Sequence, residues 1–199
     1  MVGSTNSFCG IHLNTTQSMK YLIVSDIHGS LPRLKQVLHY YHQEHYDMLI
    51  ILGDILNYGP RNGVPEGLDA QGIANELNTL SDHIVAVRGN CDSEVDQMLL
   101  KFPMMADYAL LVIDKKRIFL THGHRYNSEQ LPELHIDVMC YGHTHRWMLE
   151  RQGNCVVCNT GSITFPKEER QPTFATIDED NFLRIRNLEG SVLKEIQLD

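Results

Sequence analysis

Five apolar runs in this chain end in residues whose side chains can bind a metal ion: Ile-Val-Ser-Asp26-Ile-His28, Ile-Leu-Gly-Asp54, Val-Arg-Gly-Asn90, Phe-Leu-Thr-His122 and Cys-Tyr-Gly-His143-Thr-His145. Two carboxylates, four imidazoles and an amide form a mixed oxygen and nitrogen set without thiolate. Such a set suits Mn²⁺, Fe²⁺ or Zn²⁺ rather than a Cys-rich structural zinc or an all-oxygen calcium cage. Seven ligands exceed one tetrahedral site. A carboxylate shared between two ions about 3.5 to 4 Å apart resolves the count, and such pairs serve hydrolysis by clamping both oxygens of an in-line displacement.

Taken singly, each residue has an ordinary structural explanation. An Asp after a buried strand commonly caps a helix, a Gly-Asn pair commonly makes a turn, and a lone His is usually a satisfied surface or core residue. Recurrence at five equivalent strand ends is what points to a metal site. The adjoining Gly53, Gly89, Gly123 and Gly142 permit tight turns and close approach of a substrate.

The elements that must hold these residues follow from the hydropathy pattern. An apolar run, a polar residue at its end and a helical pattern recur through the first half, the signature of an α/β fold with buried strands. Strands are expected at 21–24, 48–52 and 84–87. A helix should start at Ser30, with Pro32 in its first turn and Leu31, Leu34, Leu38 and Tyr41 on one face. Asp69 can cap a second whose apolar face holds Ile73, Leu77 and Leu80, and Ser93 with Asp96 resembles a capping box opening a third through Met98 and Leu99. From about Asp107 the pattern changes to strands at 109–113, 117–121, 138–141, 147–149, 156–159 and 174–177. A hairpin from Leu183 to Leu198, turned at Glu189-Gly190, completes this mainly antiparallel half. If the metal-bearing strands are neighbours, their carboxyl ends gather all seven side chains along one edge, where ligands bind in open α/β sheets.

The 199 residues, 42% of them hydrophobic, fit one compact domain. A formal net charge of -8 argues against generic binding of duplex nucleic acid, which needs a basic face. A small anionic substrate stays compatible with that charge, because divalent ions neutralise it locally. No apolar run approaches the roughly 20 residues that a membrane span needs, and the segment before Met19 lacks a basic start and a hydrophobic stretch. A cytoplasmic protein is the expectation. Residues 1–18, rich in Ser, Thr and Asn, read as a disordered extension or as the product of an upstream start, leaving 19–199 as a single domain. Five cysteines do not read as a secreted disulfide framework, and Cys155-Val-Val-Cys158 reads as buried thiols on an apolar strand rather than a redox or zinc pair.

Asp26-x-His28, Gly53-Asp54, Gly89-Asn90-Cys91-Asp92, His122-Gly123-His124 and Gly142-His143-Thr144-His145, in this order, resemble the signature of calcineurin-like metallophosphoesterases. The resemblance covers about residues 19–199. Ser-Asp-Ile-His-Gly-Ser-Leu-Pro, Gly-Pro-Arg-Asn and Arg-Gly-Asn-Cys-Asp-Ser-Glu-Val-Asp-Gln-Met-Leu-Leu make it similar to the small bacterial YfcE-type phosphodiesterases. It implies a four-layer αββα sandwich, two mixed β-sheets flanked by helices, and two divalent ions with Mn²⁺ favoured over Zn²⁺ or Fe²⁺. It further implies that Asp26, His28 and His145 hold one ion, that Asn90, His122 and His143 hold the other, and that Asp54 bridges them. A hydroxide shared by the ions would then attack phosphorus.

One departure bears on catalysis. Many relatives have Gly-Asn-His-Asp or Gly-Asn-His-Glu, whose histidine contacts phosphate and protonates the leaving oxygen; Cys91 stands there in this chain. A thiol near its free pKa of about 8.5 matches that role poorly, so Cys91 is either a substrate contact or a small residue filling a turn. The catalytic candidates are Asp54, Asn90 and His124, the last either a replacement proton donor or a structural histidine. Arg61 could pair with phosphate and Tyr58 could stack on an aromatic group, or both could be solvated turn residues. Arg88 is either a phosphate ligand or a partner of the acidic ligands. The resemblance implies a small phosphodiester substrate, with a phosphomonoester as the alternative, and self-association as in relatives. The retromer scaffold subunit Vps29 resembles this fold and works by binding partners, but every ligand position is filled in this chain.

Overall fold

The computed structural model describes residues 19–113 and 115–198; the expectation for residues 1–18 lies outside the described residues. Strands and helices alternate at first: β1 (Tyr21–Val24), α1 (Leu31–Gln43), β2 (Met48–Ile51), α2 (Ala70–Asn78), β3 (Ile84–Ala86) and α3 (Glu94–Leu99). Strands alone follow: β4 (Tyr108–Ile113), β5 (Lys116–Thr121), β6 (Val138–Tyr141), β7 (Met148–Gln152), β8 (Cys155–Asn159), β9 (Thr173–Ile177), β10 (Phe182–Asn187) and β11 (Val192–Gln197).

These strands form two mixed sheets. The first runs β11-β10-β9-β1-β2-β3, with β1, β2 and β3 parallel and β9, β10 and β11 antiparallel. The second runs β4-β5-β6-β8-β7, a parallel β5, β6, β8 centre with an antiparallel strand on each side. The second half is thus antiparallel except at this centre. The segment 122–137 crosses back between β5 and β6, and a parallel pair requires such a return. The expected single edge of ligand-bearing strands is correspondingly split: β1, β2 and β3 lie in one sheet, β5 and β6 in the other.

Strand alternation builds the layers. Leu22, Val24, Leu49, Ile51, Ile84 and Ala86 pack against Leu34, Val37, Leu38 and Tyr41 of α1 and Ile73, Ala74 and Leu77 of α2. Their neighbours Ile23 and Ile50, with Leu52 and Val87, face Ile118, Leu120, Val138, Cys140, Val156 and Cys158 across the gap between sheets. The outer side of the second sheet, Phe119, Met139, Tyr141 and Val157, is covered by Ile136 and Tyr126. Among the described residues an irregular segment thus takes the place a helix would occupy there. The layered sandwich of two mixed sheets is as expected, with few helices.

Local signals behave as their chemistry requires. The Asp69 carboxylate accepts from Gly72 N at 2.8 Å to cap α2, and Asp96 accepts from Ser93 N at 2.7 Å at the start of α3. Ser30 precedes α1, but its hydroxyl donates to Glu66 O at 3.0 Å. Cys155 and Cys158 are both buried on β8, as an apolar strand predicts. The apolar residues of α3 are not core: Met98 is 84% exposed.

Phe174, fully buried against Tyr40 with ring centroids 5.2 Å apart, should therefore cost about 3–5 kcal/mol when cut to Ala. Met98→Gln should stay within about 0.5 kcal/mol of the parent. Urea unfolding checks both, and similar losses at the two positions would contradict this account of the layers.

Candidate metal centre

Beyond the strand ends the chain makes left-handed turns. Asp26, His28, Asp54, His143 and His145 have φ of 55°, 49°, 55°, 66° and 59°, a region that non-glycine residues seldom occupy and that clusters at functional sites. Backbone pairing continues through these turns: His28 N donates to Asp54 O at 2.9 Å and Gly142 N to His122 O at 2.8 Å. Side chains tie them further. The Asp92 carboxylate accepts from Asp54 N at 2.8 Å, Ile55 N at 2.9 Å and Gly89 N at 2.7 Å. Ser162 Oγ donates to Asp26 O and Thr164 Oγ1 to Ile27 O, at 2.8 and 2.7 Å. Asn159 Nδ2 donates to Gly142 O at 2.9 Å.

The seven predicted side chains converge at the junction of the two sheets. His28 and His145 donate from Nδ1 to Asn57 O at 3.0 Å and Phe165 O at 2.7 Å. A carbonyl can only accept, so each Nδ1 carries a proton and each Nε2 turns inward. The two Nε2 atoms are 3.2 Å apart, and Asp26 Oδ1 is 3.2 Å from that of His145 and 3.5 Å from that of His28. His122 repeats the pattern, with Nδ1 on Leu52 O at 2.7 Å. Its Nε2 lies 3.1 Å from Asn90 Oδ1, 3.2 Å from His143 Nδ1 and 3.4 Å from Asp54 Oδ2. Asp54 Oδ2 is also 3.6 Å from His28 Nε2.

Each carboxylate is split between structure and site. Asp26 Oδ2 accepts from Ser25 Oγ at 2.7 Å and His143 N at 2.8 Å, whereas buried Asp26 Oδ1 has no hydrogen bond. Asp54 Oδ1 accepts from Cys91 N at 2.8 Å, leaving Oδ2 toward the histidines. Two glycines make room for this. A Cβ on Gly89 would collide with Asp54 Oδ1, and one on Gly142 would collide with Ser25 Oγ and Asp26 Oδ2. An orphaned buried oxygen beside converging imidazole lone pairs fits a divalent cation, with carbonyls fixing the outer nitrogens as in metal-binding histidines.

The same crowding governs protonation. Burial disfavours the Asp26 carboxylate, but close approach of His145 and His28 brings it well below the usual carboxylate range. Burial likewise opposes charge on His122, yet Asp54 and Asp26 raise it to about 9. Burial lowers His143 to about 4, helped by His122, so it presents a neutral nitrogen. Burial raises the Cys91 thiol to about 12, reinforced by Asp54.

The centre opens into a cleft of about 720 Å³ whose walls include Asp54, Asn90, Cys91, His143, His145 and Arg61. The Cys91 ligand atom lies with those of His28 and Asp54 in one group within 4.8 Å. His124 is exposed beside His122 and His143, with ring centroids 5.5 and 6.1 Å away. Tyr58 and Arg88 are not among the lining residues; the Tyr58 carbonyl accepts from Asn62 Nδ2 at 3.1 Å, so this loop is anchored by its backbone.

Comparison with known proteins identifies the family. A profile of the calcineurin-like phosphoesterase superfamily domain matches residues 19–181. The chain belongs to that superfamily. It is 43% identical to phosphodiesterase YfcE of Escherichia coli K12 over 182 residues, which span 91% of this chain and 99% of that protein. The solved structure of the E. coli phosphoesterase superposes with a TM-score of 0.88 at 42% identity, over 91% of this chain and 100% of that one. The probable metallophosphoesterase YsnB of Bacillus subtilis is 27% identical over 90% of this chain and 97% of its own. Vps29 of Entamoeba histolytica, complexed with zinc, shares the fold with a TM-score of 0.63 at 18% identity, over 91% and 100%. Family and donor chemistry together make this a divalent metal-binding protein.

Reading from the sequence missed the tethers: Ser25, Asp92, Asn159, Ser162 and Thr164. Asp92 alone had a signal, as the acid closing Gly89-Asn90-Cys91-Asp92.

Two outcomes follow. Asp92→Asn places an amide N–H against backbone donors that now meet a carboxylate, and should weaken metal affinity about 10- to 100-fold; calorimetric titration showing unchanged affinity would count against the tether. His122, raised from 6.5 to about 9, lends the metal-free protein stability that is full below pH 6.5 and lost as pH rises through about 9. Urea midpoints of chelator-treated protein should fall across that window, and a flat profile would refute the assignment.

Proposed function

We propose that this chain is a metal-dependent phosphodiesterase, with Asp26, His28 and His145 holding one divalent ion, Asn90, His122 and His143 the second, and Asp54 bridging them. Asp54 Oδ2 carries this reading: it stands 3.6 Å from His28 Nε2 and 3.4 Å from His122 Nε2, one oxygen facing both groups. Mn²⁺ is the favoured ion on the family likeness; the donor set itself suits Mn²⁺, Fe²⁺ and Zn²⁺ alike. Bound there, the ions would supply Lewis acidity and a hydroxide at neutral pH.

The chain's own residues do the positioning. Cys91 N fixes Asp54 Oδ1, His143 N and Ser25 Oγ fix Asp26 Oδ2, and three backbone carbonyls fix the outer nitrogens of His28, His145 and His122. Preorganised donors of this kind lose no energy to rearrangement as charge builds on the phosphoryl oxygens. Cys91, a thiol that burial and Asp54 raise to about 12, is a poor match to a leaving-group acid at neutral pH. His124, exposed beside His122 and His143, is the remaining candidate for that proton.

A diester is favoured over a monoester by the phosphodiesterase relative, and the cleft beside the centre, about 720 Å³, has room for a substrate arm. The net charge of -8 favours a small substrate over duplex nucleic acid, in keeping with a cytoplasmic enzyme. No helix among the described residues is long and apolar enough to cross a membrane. A scaffold role like that of Vps29 is disfavoured by the complete donor set.

Bis(p-nitrophenyl) phosphate and p-nitrophenyl phosphate, assayed in parallel with added Mn²⁺, test the reading. The diester should be cleaved faster, and Asp54→Asn should lower kcat/KM at least about 100-fold. Cys91→Ala should cost less than about tenfold, below the loss expected for a general acid. Faster monoester turnover, or full turnover without the Asp54 carboxylate, would overturn it.

A further inference from the structure

The two loops that orient the first histidine pair also carry cations. Loop 57–62 offers its Asn57 carbonyl to His28 Nδ1 at 3.0 Å. It is braced internally: Asn57 Oδ1 accepts from Gly59 N at 2.9 Å, and Asn62 N donates to Gly59 O at 3.0 Å. Arg61 projects from this braced turn and lines the cleft. Loop 165–168 offers its Phe165 carbonyl to His145 Nδ1 at 2.7 Å, and Lys167 N donates to His145 O at 3.1 Å. Lys167 and Arg146 line the cleft from this side.

Charge on this flank is unbalanced. Arg146 is held by Glu168 at 2.8 Å, but neither Arg61 nor Lys167 has an ion-pair partner among the described residues. Three cations thus stand against one rim carboxylate in a chain of net charge -8. The opposite flank, beside His122, contributes no such cation to the cleft walls: Arg88 does not line it. Arg125, which follows that histidine, is bound to Asp107 at 2.5 Å and does not line the cleft. A phosphodiester group seated between the two metal groups carries one negative charge, which the ions already neutralise, so free cations beyond one end of it are matched to something else.

We infer that the substrate's ester arm on the His28 and His145 side bears a second, terminal phosphate, received by Arg61 and Lys167 with Arg146 beside them. This rests on the phosphodiesterase reading and narrows it to diesters with one charged arm. Charge-assisted pairing of guanidinium and ammonium with phosphate is short-ranged and strong when several donors converge, and at an exposed rim it weakens with salt.

The test uses the Mn²⁺-loaded protein and two esters with the same chromophore: the p-nitrophenyl ester of thymidine 5′-phosphate, with and without a phosphate on the 3′ oxygen. The phosphorylated ester should have a kcat/KM about tenfold higher, mostly through KM, and the advantage should shrink as salt rises. In the double variant Arg61→Gln, Lys167→Gln the ratio of the two efficiencies should fall toward one. Calorimetry gives a readout independent of turnover: thymidine 3′,5′-bisphosphate should bind about tenfold tighter than thymidine 5′-phosphate, again only with Arg61 and Lys167 present. If both esters are cleaved equally and both nucleotides bind equally, the charged-arm inference fails and the diesterase reading stands. If neither ester is cleaved while the bisphosphate binds tighter, the hydrolytic reading fails and the rim assignment stands.

Discussion

Electron pairs brought face to face in a buried place are the constraint on which this structure turns. His28 and His145 direct bare nitrogens at each other beside an oxygen of Asp26 that has no hydrogen bond, and His122 faces Asn90, His143 and Asp54 in the same way. Burial of such a group without compensation is costly. A folded chain can relieve it with protons or with metal ions. The raised protonation of His28 and His122 is the first remedy, and divalent metal is the second. Because a metal ion would displace a proton, occupancy and pH are coupled at this site by construction.

Holding that arrangement falls to backbone that is itself unusual. Five of the donors occupy left-handed turns, each opposed by conformational preference, and the opposition is met by hydrogen bonds from outside the turn. Asp92 binds three backbone N–H groups across two loops, while Ser162 and Thr164 bind the carbonyls of the first. The same bonds select which carboxylate oxygen is free. Asp26 and Asp54 each give one oxygen to the scaffold and one to the site, so orientation is established before any ligand arrives.

The seven candidate ligands were legible because a buried strand reads as an apolar run and its last polar residue is conspicuous. Lys20-Tyr-Leu-Ile-Val-Ser-Asp26 needs no partner strand to announce where it ends. Sheet membership is different in kind. β1 pairs with β9, more than 150 residues away in the chain, and that choice depends on the fit of two completed surfaces. The sequence pattern therefore brought seven residues to strand ends but not to the meeting of two sheets. Tyr58, Arg61 and Arg88 were singled out by adjacency to ligand candidates, and adjacency does not say which way a side chain points; of the three, only Arg61 lines the cleft. Ser25, Ser162 and Thr164 were silent because hydroxyl residues near turns are common, and only distance reveals which carbonyl each one holds.

The thiol at position 91 shows how this site can work with a weak acid. A histidine there would add a cation beside phosphate and a proton for the departing oxygen; in the metal-free chain burial and Asp54 instead raise the Cys91 thiol to about 12. What the side chain cannot supply, its backbone partly does, since Cys91 N aligns the Asp54 carboxylate at 2.8 Å. The position thus contributes to the candidate metal site through its amide and to the cleft wall through its sulfur. Arg61, Lys167 and Arg146 place positive charge at the rim of the cleft, where an anionic substrate arm would meet it under the proposed function. If the proposed hydrolysis holds, it would rest on placement and substrate charge more than on proton transfer, and leaving groups that depart as stable anions would suit it best.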